Sequence, residues 1–220
     1  MFILEGYLEK LINECRSAYG ERLVYLGLQG SYLRGEATEE SDIDIMVVID
    51  DFCTADMDIY RGILKTVGWY ERSCGFICGR DELMRWNPLE VIQLRYTTKD
   101  LYGKLSDLLP YAGKEDEINY IKLSLGNLYH ELCHRYIHSD KENSAVKLKF
   151  TLKGFFFLIQ NLHYVESGEF LLSRRELKEK VSSADRYILE LSENYVPEDF
   201  DEVFPKVIEW CRQAFIRIGS

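Results

Sequence analysis

The change in apolar spacing near Asp116 is the feature that most constrains the fold. From there to the end of the chain, apolar residues recur at intervals of three and four, beginning with the stripe over residues 118–136. Similar stripes follow in residues 145–165, 173–192 and 202–217. The first half instead combines a helix-like stretch at 3–18, an apolar run at 23–28 and strict alternation from residue 42. These patterns predict an α+β fold: an N-terminal mixed β-sheet domain with flanking helices, then a C-terminal helical bundle.

The segment Pro110–Asp116 separates these two patterns of apolar spacing. It collects a proline, a glycine and three charges, which is typical of a connection between domains. We therefore predict domains at residues 1–112 and 113–220, both of ordinary domain size. The 220 residues, 46% of them hydrophobic, suffice to bury such cores without disulfide or metal support.

Charge and cysteine content narrow the classes of function. The chain has 27 basic and 37 acidic residues, a net charge of −10, which disfavours a bulk nucleic-acid binder. The longest apolar run, 154–159, is far shorter than a membrane span. Acidic residues precede any apolar stretch of export-signal length, so we expect the six cysteines to be reduced thiols of a cytoplasmic protein.

Two aspartates open the alternating stretch after residue 42. If residues 43–49 form a strand, Asp42 and Asp44 point to the same side while Ile43 and Ile45 point to the other. Carboxylates two positions apart on a strand lie only about 7 Å from each other, so they repel unless a cation lies between them. Mg²⁺ prefers oxygen ligands and keeps positions open for phosphate oxygens. The pair therefore predicts a magnesium site for phosphoryl or nucleotidyl transfer.

A glycine and a serine precede the aspartates, directly after the apolar run 23–28. Gly30 allows the backbone to approach a bound group, and the amides and hydroxyl that follow, Ser31 included, can donate to phosphate oxygens. Either half of the pattern has an ordinary explanation, as a turn or as a solvated strand end. Together and in this order they favour a triphosphate site.

This stretch, GSYLRGEATEESDIDIMVVID, resembles the signature of the DNA polymerase beta-like nucleotidyltransferase superfamily. It looks like the small-molecule branch, which includes kanamycin nucleotidyltransferase, or the MNT-type branch. The resemblance covers residues 29–50. It implies that Gly30 and Ser31 bind a nucleoside triphosphate, most readily ATP, that Arg34 contacts phosphate, and that Asp42 and Asp44 bind Mg²⁺.

The resemblance also implies a third carboxylate from a later strand, as a metal ligand and base for the attacking hydroxyl. Glu90 is our first choice, because it lies at the edge of a strand-like run at 88–94. Glu71 is the alternative.

The resemblance further implies a basic residue of the helical domain over the triphosphate. Lys147, Lys149 and Lys153 precede an aromatic run, and Lys149 and Lys153 share a helical face. We predict these two as phosphate contacts, since cations there would neutralise the leaving pyrophosphate.

Two other motifs resemble patterns that bind metals other than magnesium. The sequence His130-Glu-Leu-Cys-His134 matches the zinc-peptidase pattern, and His138 follows one turn later. It lies within a regular apolar stripe and lacks a further ligand at the spacing typical of those enzymes, so half-exposed bundle histidines explain it better. Cys74 and Cys78 lack a matching second pair and are better explained as buried structural thiols.

We predict a Mg²⁺-dependent nucleotidyltransferase that modifies a hydroxyl of a small molecule, such as an aminoglycoside-like antibiotic. The alternatives are an MNT-type protein that nucleotidylates or binds a protein partner, and a silent nucleotide-binding module. A homodimer is compatible with each of these. Nucleic acid and membrane partners are not expected.

Overall fold

A computed structural model describes residues 3–219. The chain divides into two compact units, of which the first ends at Tyr111 and the second begins at Ala112. The first unit contains α1 (Leu4–Tyr19), β1 (Leu23–Leu28), α2 (Gly30–Arg34), β2 (Ile43–Ile49), α3 (Thr54–Val67), β3 (Ser73–Gly79), α4 (Arg80–Met84), α5 (Pro88–Thr97) and β4 (Lys99–Tyr102). The second contains α6 (Lys114–His138), α7 (Lys141–Ser167), α8 (Arg174–Lys180), α9 (Ser183–Asn194) and α10 (Phe200–Gly219). The α+β fold class is confirmed.

The described residues of the first unit form a four-stranded mixed sheet in the order β3-β2-β1-β4. Strand β1 runs antiparallel to both β2 and β4, whereas β2 and β3 are parallel. A parallel pair needs a crossover connection, and the segment that contains α3 supplies it. The register places Asp44 opposite Cys74 and Met46 opposite Phe76.

Strand β2 is covered on both faces. The predicted alternation is confirmed, because Ile43, Ile45, Val47 and Ile49 join the core formed with α1 and α3, whereas Met46 and Val48 join a second core with α4 and α5. A strand buried on both sides is almost wholly apolar. Polar side chains therefore occur only where β2 begins, at Asp42 and Asp44, and this confines any chemistry on the strand to that end.

The strand-like interpretation of residues 88–94 is wrong, because they belong to helix α5. The Asn87 side chain accepts a hydrogen bond from the Leu89 amide at 3.0 Å, and Pro88 occupies the first helical position. Asparagine at an N-cap followed by proline is a strong helix start. This local signal determines the structure, and the short apolar run around Val91 and Ile92 becomes the buried face of the helix.

Helix α7 contributes the largest share of the core of the second unit. Its buried side chains include Leu148, Leu152, Phe155, Phe156 and Ile159, which belong to one cluster with residues of α6, α9 and α10. No helix within residues 3–219 combines the length and the apolar character needed to cross a membrane. The six cysteines, all among the described residues, are unpaired thiols.

We expect Gly75→Ala to destabilise the sheet. Gly75 has φ +106°, and an added Cβ would lie 2.0 Å from the carbonyl oxygen of Ile45 on the neighbouring strand. The substitution should lower the free energy of unfolding by at least about 2 kcal/mol, because both the backbone conformation and the strand pairing oppose it. Urea unfolding measures this change.

Gly62→Ala is the matched control. Gly62 lies in α3, and an added Cβ would meet nothing within 4 Å. Alanine there should be neutral or should stabilise the helix by up to about 1 kcal/mol. Equal stability of the Gly75→Ala protein and the wild type would contradict the described pairing of β2 with β3.

Candidate active site

The turn after β1 lies directly against the start of β2. The backbone amide of Gln29 donates to the carbonyl oxygen of Asp44 at 2.9 Å, which joins the two segments. Gly30 follows with φ +68°, a conformation that L residues rarely adopt. An added Cβ on Gly30 would lie 1.9 Å from Oδ2 of Asp44. The space that a side chain would need at position 30 is therefore occupied by the Asp44 carboxylate.

The two aspartates differ in exposure. Asp42 is exposed just before β2, and Asp44 is half-buried as the second residue of the strand. Ser31 is half-buried in the first turn of α2, beside Gly30. The structure therefore brings Gly30 and Asp44 into contact, with Ser31 directly after Gly30 and Asp42 two residues before Asp44.

Cys74 is the group that the parallel strand β3 presents to this pair. Its register partner is Asp44, so the thiol and the carboxylate lie side by side on the same face of the sheet. Desolvation is the largest effect that raises the pKa of the Cys74 thiol, and the nearby negative charges of Asp44 and Asp42 raise it further. Cys74 thus lies within the electrostatic reach of both aspartates.

Cys74 and Cys78 do not form a metal-binding pair. Cys74 is exposed, so the prediction that it is buried is wrong, whereas Cys78, four residues further along the same strand, is buried as predicted. Strand geometry separates such positions by about 13 Å. The structure therefore supports no joint site for the two thiols.

Arg72, which sequence reasoning overlooked, connects the two halves of the motif. Its guanidinium donates twice to the carbonyl oxygen of Ser41, at 3.0 Å and 2.8 Å, and also to the hydroxyl of Tyr32. Ser41 immediately precedes Asp42, whereas Tyr32 lies in α2. Arg72 thereby fixes the loop before the aspartates to the helix that follows Gly30.

Two of the three predicted basic contacts lie close to groups other than the candidate site. The Arg34 guanidinium donates to the Glu36 carboxylate at 2.9 Å, within the loop that follows α2. Lys149 and Lys153 are exposed on α7 in the second unit, and the ammonium of Lys153 lies 5.7 Å from the ring centre of Phe150. Their roles as phosphate contacts stay predictions.

The two candidate third carboxylates lie on other elements. Glu90 is in the first turn of α5, where Oε2 accepts a hydrogen bond from the indole nitrogen of Trp86 at 2.6 Å. Glu71 is exposed in the 3₁₀ turn before β3. Within residues 3–219 no three His, Cys, Asp or Glu side chains are grouped as a metal site. The structure thus gathers Asp42 and Asp44, but not Glu90 with them.

The zinc-peptidase motif is built into helix packing. His130 and His134 are exposed on α6, with ring centres 5.9 Å apart. Glu131 accepts a hydrogen bond from the Thr151 hydroxyl of α7 at 2.7 Å and forms an ion pair with Arg135. The glutamate that would act as base in a peptidase therefore joins two helices instead.

A family comparison agrees with this geometry. The sequence model of the nucleotidyltransferase domain family matches residues 8–125, which is more than half of the chain. The matched range contains β1, α2, β2 and β3, which form the candidate site. The chain belongs to the nucleotidyltransferase domain family. It is accordingly a nucleotidyltransferase enzyme, and the site at Gly30 and Asp44 is its candidate active site.

Relatives of this nucleotidyltransferase include two proteins of Methanocaldococcus jannaschii. The predicted protein adenylyltransferase MJ0604 is 42% identical over 70 residues, which cover 29% of this chain and 70% of that protein. The predicted protein adenylyltransferase MJ1305 is 37% identical over 59 residues, which cover 27% of this chain and 40% of that protein.

A solved structure shows the same fold over nearly the whole chain. Spectinomycin adenyltransferase AAD(9) from Enterococcus faecialis, solved with ATP and spectinomycin, aligns over 97% of this chain and 98% of its own. The TM-score is 0.57 at 16% sequence identity. The likeness shows that an α+β arrangement with a helical second half is shared.

Gly30→Ala should abolish most nucleotide binding by this nucleotidyltransferase. The methyl group would displace the Asp44 carboxylate, so the rise in melting temperature produced by ATP and Mg²⁺ should largely disappear. Gly35→Ala is the control, because Gly35 has nearly the same φ, +69°, and nothing lies within 4 Å of an added Cβ. It should cost about 1 kcal/mol in stability and retain the nucleotide effect. Equal losses in both variants would mean that backbone strain, not contact with Asp44, is responsible.

Asp44→Asn should accelerate alkylation of Cys74. The raised pKa of Cys74 leaves less thiolate at neutral pH than an ordinary cysteine would have, and thiolate is the reactive form. Removing the Asp44 charge lowers that pKa, so iodoacetamide should react several-fold faster in the presence of a chelator. Peptide mass spectrometry follows the modification, with Cys53 as internal reference. An unchanged rate at Cys74 would show that burial alone sets its reactivity.

Proposed function

We propose that this enzyme transfers a nucleoside monophosphate from a nucleoside triphosphate, most readily ATP, to a hydroxyl of a small molecule in the cytoplasm, where nucleoside triphosphates are supplied. The observation that carries the proposal is the direct contact between the backbone at Gly30 and the Asp44 carboxylate. A phosphate chain that approaches the Gly30–Ser31 backbone would meet this carboxylate at once. Such an arrangement suits a metal-bridged triphosphate.

The residues present fit a magnesium ion bound jointly by protein and substrate. Asp42 and Asp44 supply hard carboxylate oxygens at the exposed end of β2. Mg²⁺ typically takes one or two protein carboxylates together with phosphate oxygens and water, so a third protein ligand is not required. When bound, the ion would offset triphosphate charge and favour ionisation of the attacking hydroxyl.

The proposed reaction is a single displacement at phosphorus. The acceptor hydroxyl oxygen forms a bond to the α-phosphorus while the bond to the bridging oxygen of the β-phosphate breaks. Pyrophosphate leaves with the electron pair, and the hydroxyl proton passes to water or to a carboxylate of the pair. The contribution of the chain is mainly to position the reactants. Arg72 holds the loop before Asp42, and the close contact of Gly30 with the Asp44 carboxylate keeps the proposed phosphate-binding turn beside the aspartates.

Three basic residues are proposed as further phosphate contacts. Arg34 would exchange its ion pair with Glu36 for a phosphate oxygen, whereas Lys149 and Lys153 are proposed from their charge and exposure on α7. Charge-assisted bonds of this kind stabilise the leaving pyrophosphate.

The second candidate acceptor is a protein. The sequence likeness to the predicted protein adenylyltransferase MJ0604 favours it. Incubation with ATP radiolabelled at the α-phosphate, which stays with the transferred nucleotide, separates the two candidates. Label that appears in an added aminocyclitol supports the small-molecule acceptor, whereas label that appears only in a protein band of the cell lysate supports the protein acceptor.

We expect Asp42→Asn and Asp44→Asn each to reduce label transfer by at least about 100-fold, because each removes a charge that the triphosphate-bound metal needs. The stabilisation by ATP and Mg²⁺ in a thermal melt should shrink in parallel. Asp58→Asn is the control, since Asp58 is an exposed carboxylate on α3 that pairs with Arg61.

Two results would overturn the proposal. One is the absence of any melting shift with any nucleoside triphosphate in the wild type. The other is full transfer activity in both site variants. Either outcome would leave Asp42 and Asp44 as an ordinary solvated strand end.

A further inference from the structure

A cavity of about 360 Å³ lies in the first unit, outside the residues assigned to the triphosphate. It is lined by Phe76, Ile77, Trp86, Glu90, Val91 and Leu94. Its volume is in the range of small-molecule sites. Nothing in the proposed phosphate chemistry uses this space.

The lining is aromatic and carries one carboxylate. The rings of Phe76 and Trp86 meet edge to face, with centroids 6.3 Å apart and planes at 63°. Glu90 is the single charged residue among the described residues that line the cavity. Its Oε2 accepts the indole N–H of Trp86 at 2.6 Å, which holds the carboxylate beside the rings.

This combination selects for a positive charge on an organic group. Aromatic faces attract ammonium ions through the ring quadrupole, and a neighbouring carboxylate adds direct Coulomb attraction. A neutral polyol gains neither interaction. The apolar walls formed by Val91 and Leu94 favour a carbon skeleton over a hydrated metal ion.

The cavity and the aspartates share one face of the sheet. Phe76 is opposite Met46 in the register of β2 and β3, two positions beyond the pair formed by Asp44 and Cys74. Phe76 packs on the same core as Met46, so its side chain lies on that face. Two strand positions correspond to about 7 Å. A molecule of a few rings can therefore occupy the cavity and present a hydroxyl near Asp44.

We propose that this cavity binds an organic ammonium ion, with Glu90 and Trp86 as its specificity-determining residues. Resting on the proposed function, it is the acceptor subsite, and the acceptor carries an amine close to the hydroxyl that is modified. Glu90 then recognises the acceptor and does not hold the metal.

Choline provides a direct test, because it combines a quaternary ammonium with a hydroxyl. Its neutral isostere, 3,3-dimethylbutan-1-ol, has the same shape without the charge. Isothermal titration calorimetry of the full chain without nucleotide should show choline binding at least about tenfold tighter than the alcohol. Equal binding of both compounds, or no binding of choline, would overturn the proposal.

Variants locate the binding. Glu90→Gln keeps a hydrogen-bond acceptor for Trp86 and removes the charge, so choline affinity should fall roughly tenfold while the alcohol is unaffected. Trp86→Leu should weaken choline severalfold, because the aromatic face is lost. Asp58→Asn, with the same charge change on α3, should leave affinity unchanged. A choline affinity equal to wild type in Glu90→Gln would place the cation elsewhere and refute the assignment. Unchanged melting temperatures establish that each variant is folded.

A failure of the cation-site proposal can be distinguished from a failure of the proposed function. Choline binding that depends on Glu90, without label transfer from ATP to any acceptor, would retain the cation site and reject the transferase proposal. Label transfer to a small acceptor without ammonium preference would retain the transferase and reject the cation site.

Discussion

The contact between Gly30 and the Asp44 carboxylate is the constraint on which the active-site geometry depends. Any side chain at position 30 would overlap that carboxylate, and the backbone there has a left-handed conformation. The hydrogen bond from Gln29 to Asp44 fixes the distance between the turn and the strand. Glycine is therefore needed at this position both for its conformation and for its lack of a side chain.

The rest of the first unit supports this contact by excluding polar groups from the sheet. Strand β2 is sandwiched between two cores, so its interior positions are all apolar. Asp42 lies just before β2 and Asp44 is its second residue, so the carboxylates occur only at the N-terminal end of this strand. Burial of the remainder favours a single register, because a slip by one residue would turn the isoleucines away from α1 and α3.

Local patterns in the sequence predicted this part of the molecule well. The alternation of residues 43–49 predicted both the bounds of β2 and its two faces, and the change of period near Asp116 predicted a helical second half. The error at residues 88–94 also has a local explanation, since Asn87 and Pro88 are a helix start that outweighs a short apolar run. Read in that way, the sequence would have placed Glu90 on a helix.

Cys74 and Arg72 could not be predicted, because their positions depend on which strand pairs with β2. A parallel neighbour arrives through a crossover, and its register is set by packing over the whole unit, not by residues near it in the chain. The same holds for the cavity beside Glu90, which is formed by residues of β3 and α5 together with Trp86 from the segment between α4 and α5. Long-range pairing thus sets the limit of what residue spacing reveals.

The position of Arg72 has a consequence for the order in which the molecule assembles. This arginine directly precedes β3, yet its side chain donates hydrogen bonds to Ser41 and Tyr32, which lie at the two ends of the segment between α2 and Asp42. Contacts between distant parts of a chain form late in folding, because loop closure opposes them. A folding intermediate in which only β1 and β2 have paired would consequently lack an ordered loop before Asp42. The capacity to bind a nucleotide would then emerge only when the third strand docks.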